Sequence, residues 1–212
     1  TAVLCTLDVD GAAYAGPDGS FMCDAVKGNI KSFKGAGDSF LASFIREIIV
    51  KDGDCEIVYM TPTIERVVRM LRGIAAQNDI AIELQLEGDC PVLVLEDDLY
   101  QIIFNLVENG IKYNRPGGTL HIEALRDGDN AVLRITDTGV GVPEESISHL
   151  FERFYRVDKA RARKSGGSGL GLSIVRNMVE RNGGTICVSS VLGEGSVFTV
   201  TFPIFDVEEE DQ

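Results

Sequence analysis

The stretch from Leu99 to Tyr113, LYQIIFNLVENGIKY, constrains the fold more than any other part of the sequence. Its apolar residues recur at the spacing of a helix that buries one face, namely Leu99, Ile102, Ile103, Leu106 and Gly110. The opposite stripe carries Asn105, Asn109 and Lys112. Asparagine and glycine are poor helix formers. Their presence here indicates either a polar pocket against this face or a solvated helix surface.

A polar pocket on this face would suit a small anion with its cation. Amide oxygens can bind a hard cation, and a lysine can bind a phosphate as a point charge. The chain carries a formal net charge of −13, which argues against nucleic acid as a partner because phosphate-backbone binding needs a dominant basic surface. Positive charge is concentrated in residues 153–164, RFYRVDKARARK, whose predicted target is a small polyanion.

Two glycine-containing stretches follow this helix. The first, DTGVG at residues 137–141, follows an alternating strand pattern. Its glycines allow the backbone to turn around Asp137, whose carboxylate can then accept a hydrogen bond from an exocyclic amine such as that of adenine. The same residues are also typical of an ordinary turn. The second, GGSGLGL at residues 166–172, opens a predicted helix, where backbone amides attract phosphate. A flexible linker has the same composition, but a linker does not need the basic run that precedes it.

Composition indicates the class of protein and its compartment. With 44% hydrophobic and 25% charged residues, and no apolar run long enough for a bilayer, we predict a soluble, cytoplasmic chain without membrane contact or a visible signal peptide. The five cysteines are odd in number and form no C-x-x-C pair, which argues against a zinc site and against a disulfide framework.

Apolar periodicity predicts alternating helices and strands. Residues 1–30 contain turn signals and predict a hairpin or two short strands. Strands are further predicted at residues 55–59, 80–86, 92–95, 120–125, 131–136, 185–190 and 196–203. Helices besides the central one are predicted at residues 38–50, 61–78 and 169–182. Thr61 is the predicted N-cap of the second of these, and residues 96–98 are predicted to cap the central helix.

In this order the motifs resemble those of the catalytic and ATP-binding domain of sensor histidine kinases, in the superfamily shared with gyrase, Hsp90-type chaperones and MutL-type repair proteins. The segments similar to the family's N box, first glycine box, F box, second glycine box and closing segment are NLVENGIKYN, DTGVGVP, FERFYRVD, GGSGLGLSIV and GEGSVFTVTFP. The resemblance covers about residues 55–203. It implies an α/β two-layer sandwich of the Bergerat type, with helices on one face of a mixed sheet, that binds Mg-ATP.

The resemblance also implies roles for individual residues. Those implied in nucleotide binding are Asn105, Asn109, Lys112, Tyr113, Asp137, Gly139, Gly141, Phe151, Phe154, Arg156, Gly167, Gly169, Leu170 and Gly171. Asn109 would bind Mg²⁺, with Asn105 in support, and Asp137 would hold the adenine amine. Phe151 and Phe154 would anchor a mobile lid over residues 144–168. Arg156 in this lid would reach the γ-phosphate, which makes Asn105, Asn109 and Arg156 the implied catalytic residues.

One position bears on the type of reaction. In family members that hydrolyse ATP, a Glu four residues before the metal-binding Asn activates water, and here that position is Asn105. An amide cannot accept a proton, so the site is better suited to transfer than to hydrolysis. Glu108 is a further carboxylate beside Asn109, and its role is left open.

The implied function is transfer of the γ-phosphate to a histidine on a helical dimerisation hairpin. Such a domain would be the cytoplasmic portion of a two-component sensor, with a response regulator downstream and a homodimer as the full-length protein. The alternative is a nucleotide-binding switch module of the same superfamily, which binds ATP without transferring phosphate.

Residues 1–50 depart from the kinase pattern. They contain no H-E-x-x-x-P-like phosphoacceptor box, and the two histidines, His121 and His149, stand in positions more typical of structural residues. Residues 1–50 contain TLDVDGAAYAGPDG followed by KGAGDSF, and through these segments residues 1–47 weakly resemble the C-terminal part of ribokinase-type sugar kinases. That resemblance implies that Asp38 would be a base, but the residues are too few for a whole sugar kinase. We therefore predict three parts. They are a hairpin-plus-helix segment at 1–50 (a truncated dimerisation hairpin or a fusion remnant), an ATP-binding catalytic domain at 51–207 and an acidic tail at 208–212.

Overall fold

The computed structural model describes residues 3–6, 12–16, 19–23, 56–88, 90–157 and 169–205, which contain ten strands and four helices. The strands are β1 Val3–Thr6, β2 Ala12–Gly16, β3 Gly19–Cys23, β4 Glu56–Tyr59, β5 Ala81–Leu86, β6 Pro91–Val94, β7 Thr119–Asp127, β8 Asn130–Asp137, β9 Thr185–Val191 and β10 Gly195–Pro203. The helices in these residues are α1 Met60–Gln77, α2 Glu96–Lys112, α3 Glu144–Ile147 and α4 Gly171–Arg181.

A five-stranded mixed sheet in the order β5-β7-β8-β10-β9 forms one layer. β5 and β7 run parallel, and the other neighbours are antiparallel. The register pairs Ile122 with Ile135, and both side chains are buried on the face that helices α1, α2 and α4 cover. β4 and β6 form a separate two-stranded sheet, joined to the end of β10 by a bridge between Val92 and Ile204. The predicted α/β two-layer sandwich is thereby confirmed.

The apolar stripe predicted for the central helix is the buried face of α2. Leu99, Ile102, Ile103 and Leu106 are fully buried. Gly110 continues this stripe, and a Cβ added there would lie 2.4 Å from Cδ1 of Leu120 on β7. Glycine costs about 1 kcal/mol relative to alanine inside a helix. Here it allows α2 to approach the sheet closely, which accounts for its place in an otherwise well-formed helix.

The starts of two helices differ from the sequence prediction. α1 begins at Met60, and the Thr61 hydroxyl donates to the carbonyl of Gly88 at 3.2 Å, so the prediction that Thr61 caps this helix is wrong. α2 begins at Glu96, which places the three acidic residues 96–98 inside its first turn. Negative charge is favourable at that end of a helix because the unpaired backbone N–H groups carry partial positive charge.

A buried polar cluster joins the start of α2 to the end of α4. Asp98 is only 3% exposed and accepts hydrogen bonds from the guanidinium of Arg181. The Asn182 amide donates to the same carboxylate at 2.7 Å, and its oxygen accepts the backbone N–H of Leu95 at 3.0 Å. A buried carboxylate is stable only when its charge is paired and hydrogen-bonded. The two helices are therefore fixed to each other at this end.

The chain divides into two units, Thr1–Cys55 and Glu56–Gln212. In the first unit, β2 lies between β1 and β3 in an antiparallel sheet of three strands, one strand more than predicted. The predicted helix at 38–50, Asp38 of the sugar-kinase-like segment and the acidic tail at 208–212 lie outside the described residues. The predicted division at residue 50 stays a prediction. In the described residues, no helix combines the length and apolar character that crossing a membrane requires.

Candidate functional site

A pocket of about 670 Å³ opens between α2, the loop after β8, the residues that follow α3 and the start of α4. This volume lies within the range of about 300–1,000 Å³ that is typical of small-molecule sites. Nine of the residues predicted for the site line it: Asn105, Asn109, Lys112, Tyr113, Asp137, Gly141, Arg156, Gly169 and Gly171. The fold therefore brings together residues from four separate sequence motifs.

The asparagines of α2 present amide oxygens to the pocket. The Asn105 side-chain amide donates to the carbonyl of Gln101 at 2.8 Å, which leaves its Oδ1 near Gly171, where an added Cβ would lie 3.6 Å away. Half-buried Asn109 makes no side-chain hydrogen bond within the described residues. The same residues contain no group of three His, Cys, Asp or Glu side chains that could hold a metal ion. Asn105, Glu108 and Asn109 all line the pocket and carry side-chain oxygens of the kind that bind hard cations.

Asp137 ends β8 and is the buried acceptor of the site. It is 7% exposed, and its Oδ1 accepts the backbone N–H of Gly139 at 2.8 Å. Burial raises the pKa of this carboxyl above its ordinary value of 3.8, while hydrogen bonds from Gly139 and from the backbone and hydroxyl of Ser196 act in the opposite direction. The carboxyl group is fixed in position and can accept a further hydrogen bond from a donor in the pocket.

The glycines after Asp137 are required by the close approach of other backbone segments. A Cβ on Gly139 would lie 2.3 Å from the carbonyl oxygen of Tyr113, and one on Gly141 would lie 2.0 Å from that of Val191. Gly141 also has a φ of +64°, which glycine adopts without strain. The N–H of Val140 donates to the Tyr113 carbonyl at 3.0 Å. The loop is therefore held between the end of α2 and the end of β9.

The residues after α3 supply one polar and several apolar groups. Arg156 lines the pocket. Phe151 is half-buried and packs against the core, with its ring centre 5.9 Å from the Arg176 guanidinium. Phe154 is 72% exposed, has a φ of +65° and does not line the pocket, and its N–H donates to the Gly169 carbonyl at 2.9 Å. Phe151 therefore packs against the core, whereas Phe154 is exposed.

Four of the described residues predicted for the site do not line the pocket. Gly139 lies against the Tyr113 carbonyl, and half-buried Leu170 precedes α4, where its carbonyl accepts the Ser173 hydroxyl at 2.8 Å. Phe151 and Phe154 lie as described above. Gly167 and most of the basic run lie outside the described residues. The functional roles assigned to these residues stay predictions.

Sequence reasoning did not assign roles to eleven lining residues: Glu108, Val140, Val142, Pro143, Leu150, Tyr155, Val157, Leu172, Leu192, Ser196 and Phe198. Several of these residues lie within the sequence motifs, so the extent of each motif was the signal that could have identified them. Ser196 is found only through the sheet, in which it pairs directly with Asp137. Tyr155 is positioned by its hydroxyl, which donates to the Ser146 hydroxyl at 2.9 Å.

The family described as "Histidine kinase-, DNA gyrase B-, and HSP90-like ATPase" matches residues 94–205. This match spans more than half of the chain and contains every residue that lines the pocket. The chain belongs to this ATPase family. Family membership supports the use of ATP. Together with the relatives described next, the match confirms the resemblance to the ATP-binding domain of sensor histidine kinases.

The chain is similar to several sensor histidine kinases. The chain is 40% identical over 134 residues to the sensor histidine kinase RppB of Synechocystis sp., covering 63% of this chain and 29% of that protein. It is 38% identical over 127 residues to the sensor histidine kinase WalK of Bacillus subtilis, covering 59% and 21%. The solved structure of the mycobacterial sensor histidine kinase MprB matches with a TM-score of 0.63 and 29% identity, covering 72% of this chain and 99% of that one. The chain thus spans less than a third of the two curated relatives.

Proposed function

We propose that this chain is the ATP-binding catalytic domain of a two-component sensor histidine kinase, which transfers the γ-phosphate of Mg-ATP to a histidine on a separate helical hairpin. The observation that carries the proposal is the convergence of Asn105, Asn109, Asp137 and Arg156 on one pocket. Asp137 supplies a fixed acceptor at one side of the pocket. The asparagines, the arginine and the first residues of α4 supply groups suited to a metal ion and phosphates.

Each group has a distinct task in this proposal. Asp137 accepts the hydrogen bond of the adenine amine. Asn109 holds Mg²⁺ through its amide oxygen, with Asn105 in support, and the bound ion would neutralise and orient the phosphate oxygens. Arg156 binds the γ-phosphate, where a guanidinium forms strong charge-assisted hydrogen bonds. Because Asn105 cannot accept a proton, these residues orient ATP for an incoming histidine rather than activate water.

The wider assignments are proposals of the same kind. A phosphohistidine hairpin of this class would dimerise and pass its phosphate to a response regulator. The domain would act on the cytoplasmic side of the sensor. A switch module that only binds ATP is the alternative function, and the loss of a proton-accepting side chain at Asn105 is compatible with it as well.

A phosphotransfer assay separates the two functions. The chain is incubated with γ-labelled Mg-ATP and a separately expressed histidine-bearing dimerisation hairpin. We expect acid-labile, base-stable label on the hairpin, and no label when the hairpin histidine is replaced by alanine. Nucleotide binding measured by calorimetry, without label on the hairpin, would favour the switch module.

Arg156→Ala should reduce the preference of the site for a triphosphate. Charge-assisted hydrogen bonds contribute about 1.5–3 kcal/mol, so affinity for a non-hydrolysable ATP analogue should fall by about tenfold or more, while ADP affinity changes far less. Hydrogen exchange over residues 150–168 should slow more with the analogue than with ADP, and the variant should lose most of this difference. Arg153→Ala is the matched control, because Arg153 is exposed in the same segment and does not line the pocket. Equal losses for both nucleotides would show that Arg156 does not bind the γ-phosphate.

A further inference from the structure

Arg115 connects three segments at one side of the pocket without lining the pocket itself. It lies in the loop between α2 and β7. Its Nε donates to the carbonyl of Thr138 at 2.6 Å, in the loop after β8. Its Nη2 donates to the carbonyl of Gly193 at 3.2 Å, in the turn between β9 and β10. One guanidinium therefore holds two loops of the pocket wall at a fixed separation.

These two loops form the wall beside Asp137. The N–H of Gly193 donates to the Val140 carbonyl at 2.8 Å, and Val140 in turn is bound to the end of α2 through the carbonyl of Tyr113. Val140 and Leu192 line the pocket, yet they are 39% and 64% exposed. Because this wall has one side in solvent, apolar burial contributes little to its position. Hydrogen bonds between the loops must set its geometry.

The position of Arg115 is itself fixed by polar contacts. Its backbone N–H donates to Oδ1 of Asn114 at 3.0 Å, and the Asn114 amide donates to the carbonyl of Thr119 at 3.0 Å. Thr119 also donates its N–H to the hydroxyl of Thr138 at 2.9 Å. A planar guanidinium presents several donors in a rigid, spread arrangement that suits two carbonyls at once, whereas the three donors of an ammonium group share one nitrogen at the end of a flexible stem.

We propose that Arg115 is a positioning residue for the adenine end of the pocket. By binding Thr138 and Gly193 together, it fixes the distance between Asp137 and the wall that carries Val140 and Leu192. This inference rests on the proposed function, since it takes ATP as the ligand. Arg115 acts on the wall beside Asp137 and not on the phosphates. Its removal therefore lowers the affinities for ATP and ADP by the same factor.

The test compares Arg115→Ala with Arg126→Ala in the full 212-residue chain. Arg126 is a matched control, because it is also an exposed arginine whose Nε donates to a backbone carbonyl, that of Gly128 at 3.0 Å, at the distant turn of the β7–β8 hairpin. Calorimetry with Mg-ATP and Mg-ADP should show a loss of about three- to tenfold for both nucleotides in Arg115→Ala and none in Arg126→Ala. Hydrogen exchange of residues 138–142 and 191–195 without nucleotide should rise in Arg115→Ala alone.

Arg115→Lys keeps the charge but lacks the rigid, spread donors that hold both carbonyls, so its affinity for both nucleotides should be intermediate. Full recovery with lysine would overturn the assignment, since charge alone would then suffice. A loss for ATP without a loss for ADP would also overturn it, because Arg115 would then act on the phosphates. Unchanged affinity and exchange in Arg115→Ala, with ATP binding intact in the wild type, would refute this inference alone. Failure of the wild type to bind Mg-ATP would refute the proposed function instead.

Discussion

Asn109→Ala is expected to abolish the Mg²⁺-dependent binding of ATP. The Asn109 side chain lies on the pocket face of α2 and makes no hydrogen bond within the described residues, so its oxygen is available to a ligand. Alanine offers no replacement oxygen. Loss of an outer-shell partner of a metal ligand typically costs about 10–100-fold in affinity, and loss of the ligand itself should exceed about 100-fold.

Calorimetry with and without Mg²⁺ measures this effect, and thermal unfolding checks the fold. Alanine is a better helix former than asparagine, so the variant should be at least as stable as the wild type. Asn78→Ala, at the exposed end of α1, is the control and should keep wild-type affinity. Equal ATP affinity with and without Mg²⁺ in both the wild type and the Asn109 variant would contradict the assignment.

Asp137→Asn is expected to weaken ATP binding and to reduce the preference for ATP over GTP. The substitution preserves shape but replaces a charged acceptor, and a hydrogen bond to a charged group contributes about 1.5–3 kcal/mol, which corresponds to a loss of about 10–100-fold. Competition of ATP and GTP for the pocket measures the preference. If GTP competes as well as ATP in the wild type, Asp137 does not select the base.

The same substitution should affect stability in a pH-dependent way. Burial raises the pKa of Asp137 in the folded protein above its ordinary value, so the folded state binds this proton more tightly than the unfolded state. The contribution of Asp137 to the free energy of unfolding is then most favourable at low pH, and it declines as pH rises through the raised pKa. The free energy of unfolding of Asp137→Asn should therefore increase relative to that of the wild type between pH 4 and pH 7. Denaturant unfolding without nucleotide measures this difference. A difference that is independent of pH would contradict the effect of burial.

Helical spacing was sufficient to predict the centre of the fold. The stripe from Leu99 to Gly110 is the buried face of α2, because a helix that packs on a sheet must bury one apolar face. The strand pairs on either side of Asp137 were also predicted to within a few residues, since their alternation reflects burial of a single sheet face. The polar stripe of the same helix, Asn105 to Lys112, lies opposite this apolar face, and its residues line the pocket.

Features that depend on contacts distant in sequence could not be predicted. Thr61 has the composition of an N-cap, but the helix begins one residue earlier, with the Met60 N–H donating to the Cys90 carbonyl at 3.2 Å. Ser196 reaches Asp137 only because β10 pairs with β8 in one register, and a shift by one residue would turn it to the other face. Phe154 is aromatic, yet its left-handed backbone leaves its ring exposed. Residue type alone contains none of this information.

The polar cluster of Asp98, Arg181 and Asn182 forms a joint between one end of α2 and one end of α4. Asn109 of α2 and Gly171 of α4 lie near the ends of these helices that are farther from the joint. At about 1.5 Å per residue, Asn109 lies about 16 Å along the helix from Asp98. A rotation of about 5° at the joint would therefore displace it by about 1.4 Å, several times the roughly 0.2 Å within which a metal–ligand distance is held. If the proposed function holds, small angular changes between α2 and α4 would thus be enough to open or complete the end of the pocket that is assigned to the phosphates, while the joint remains intact.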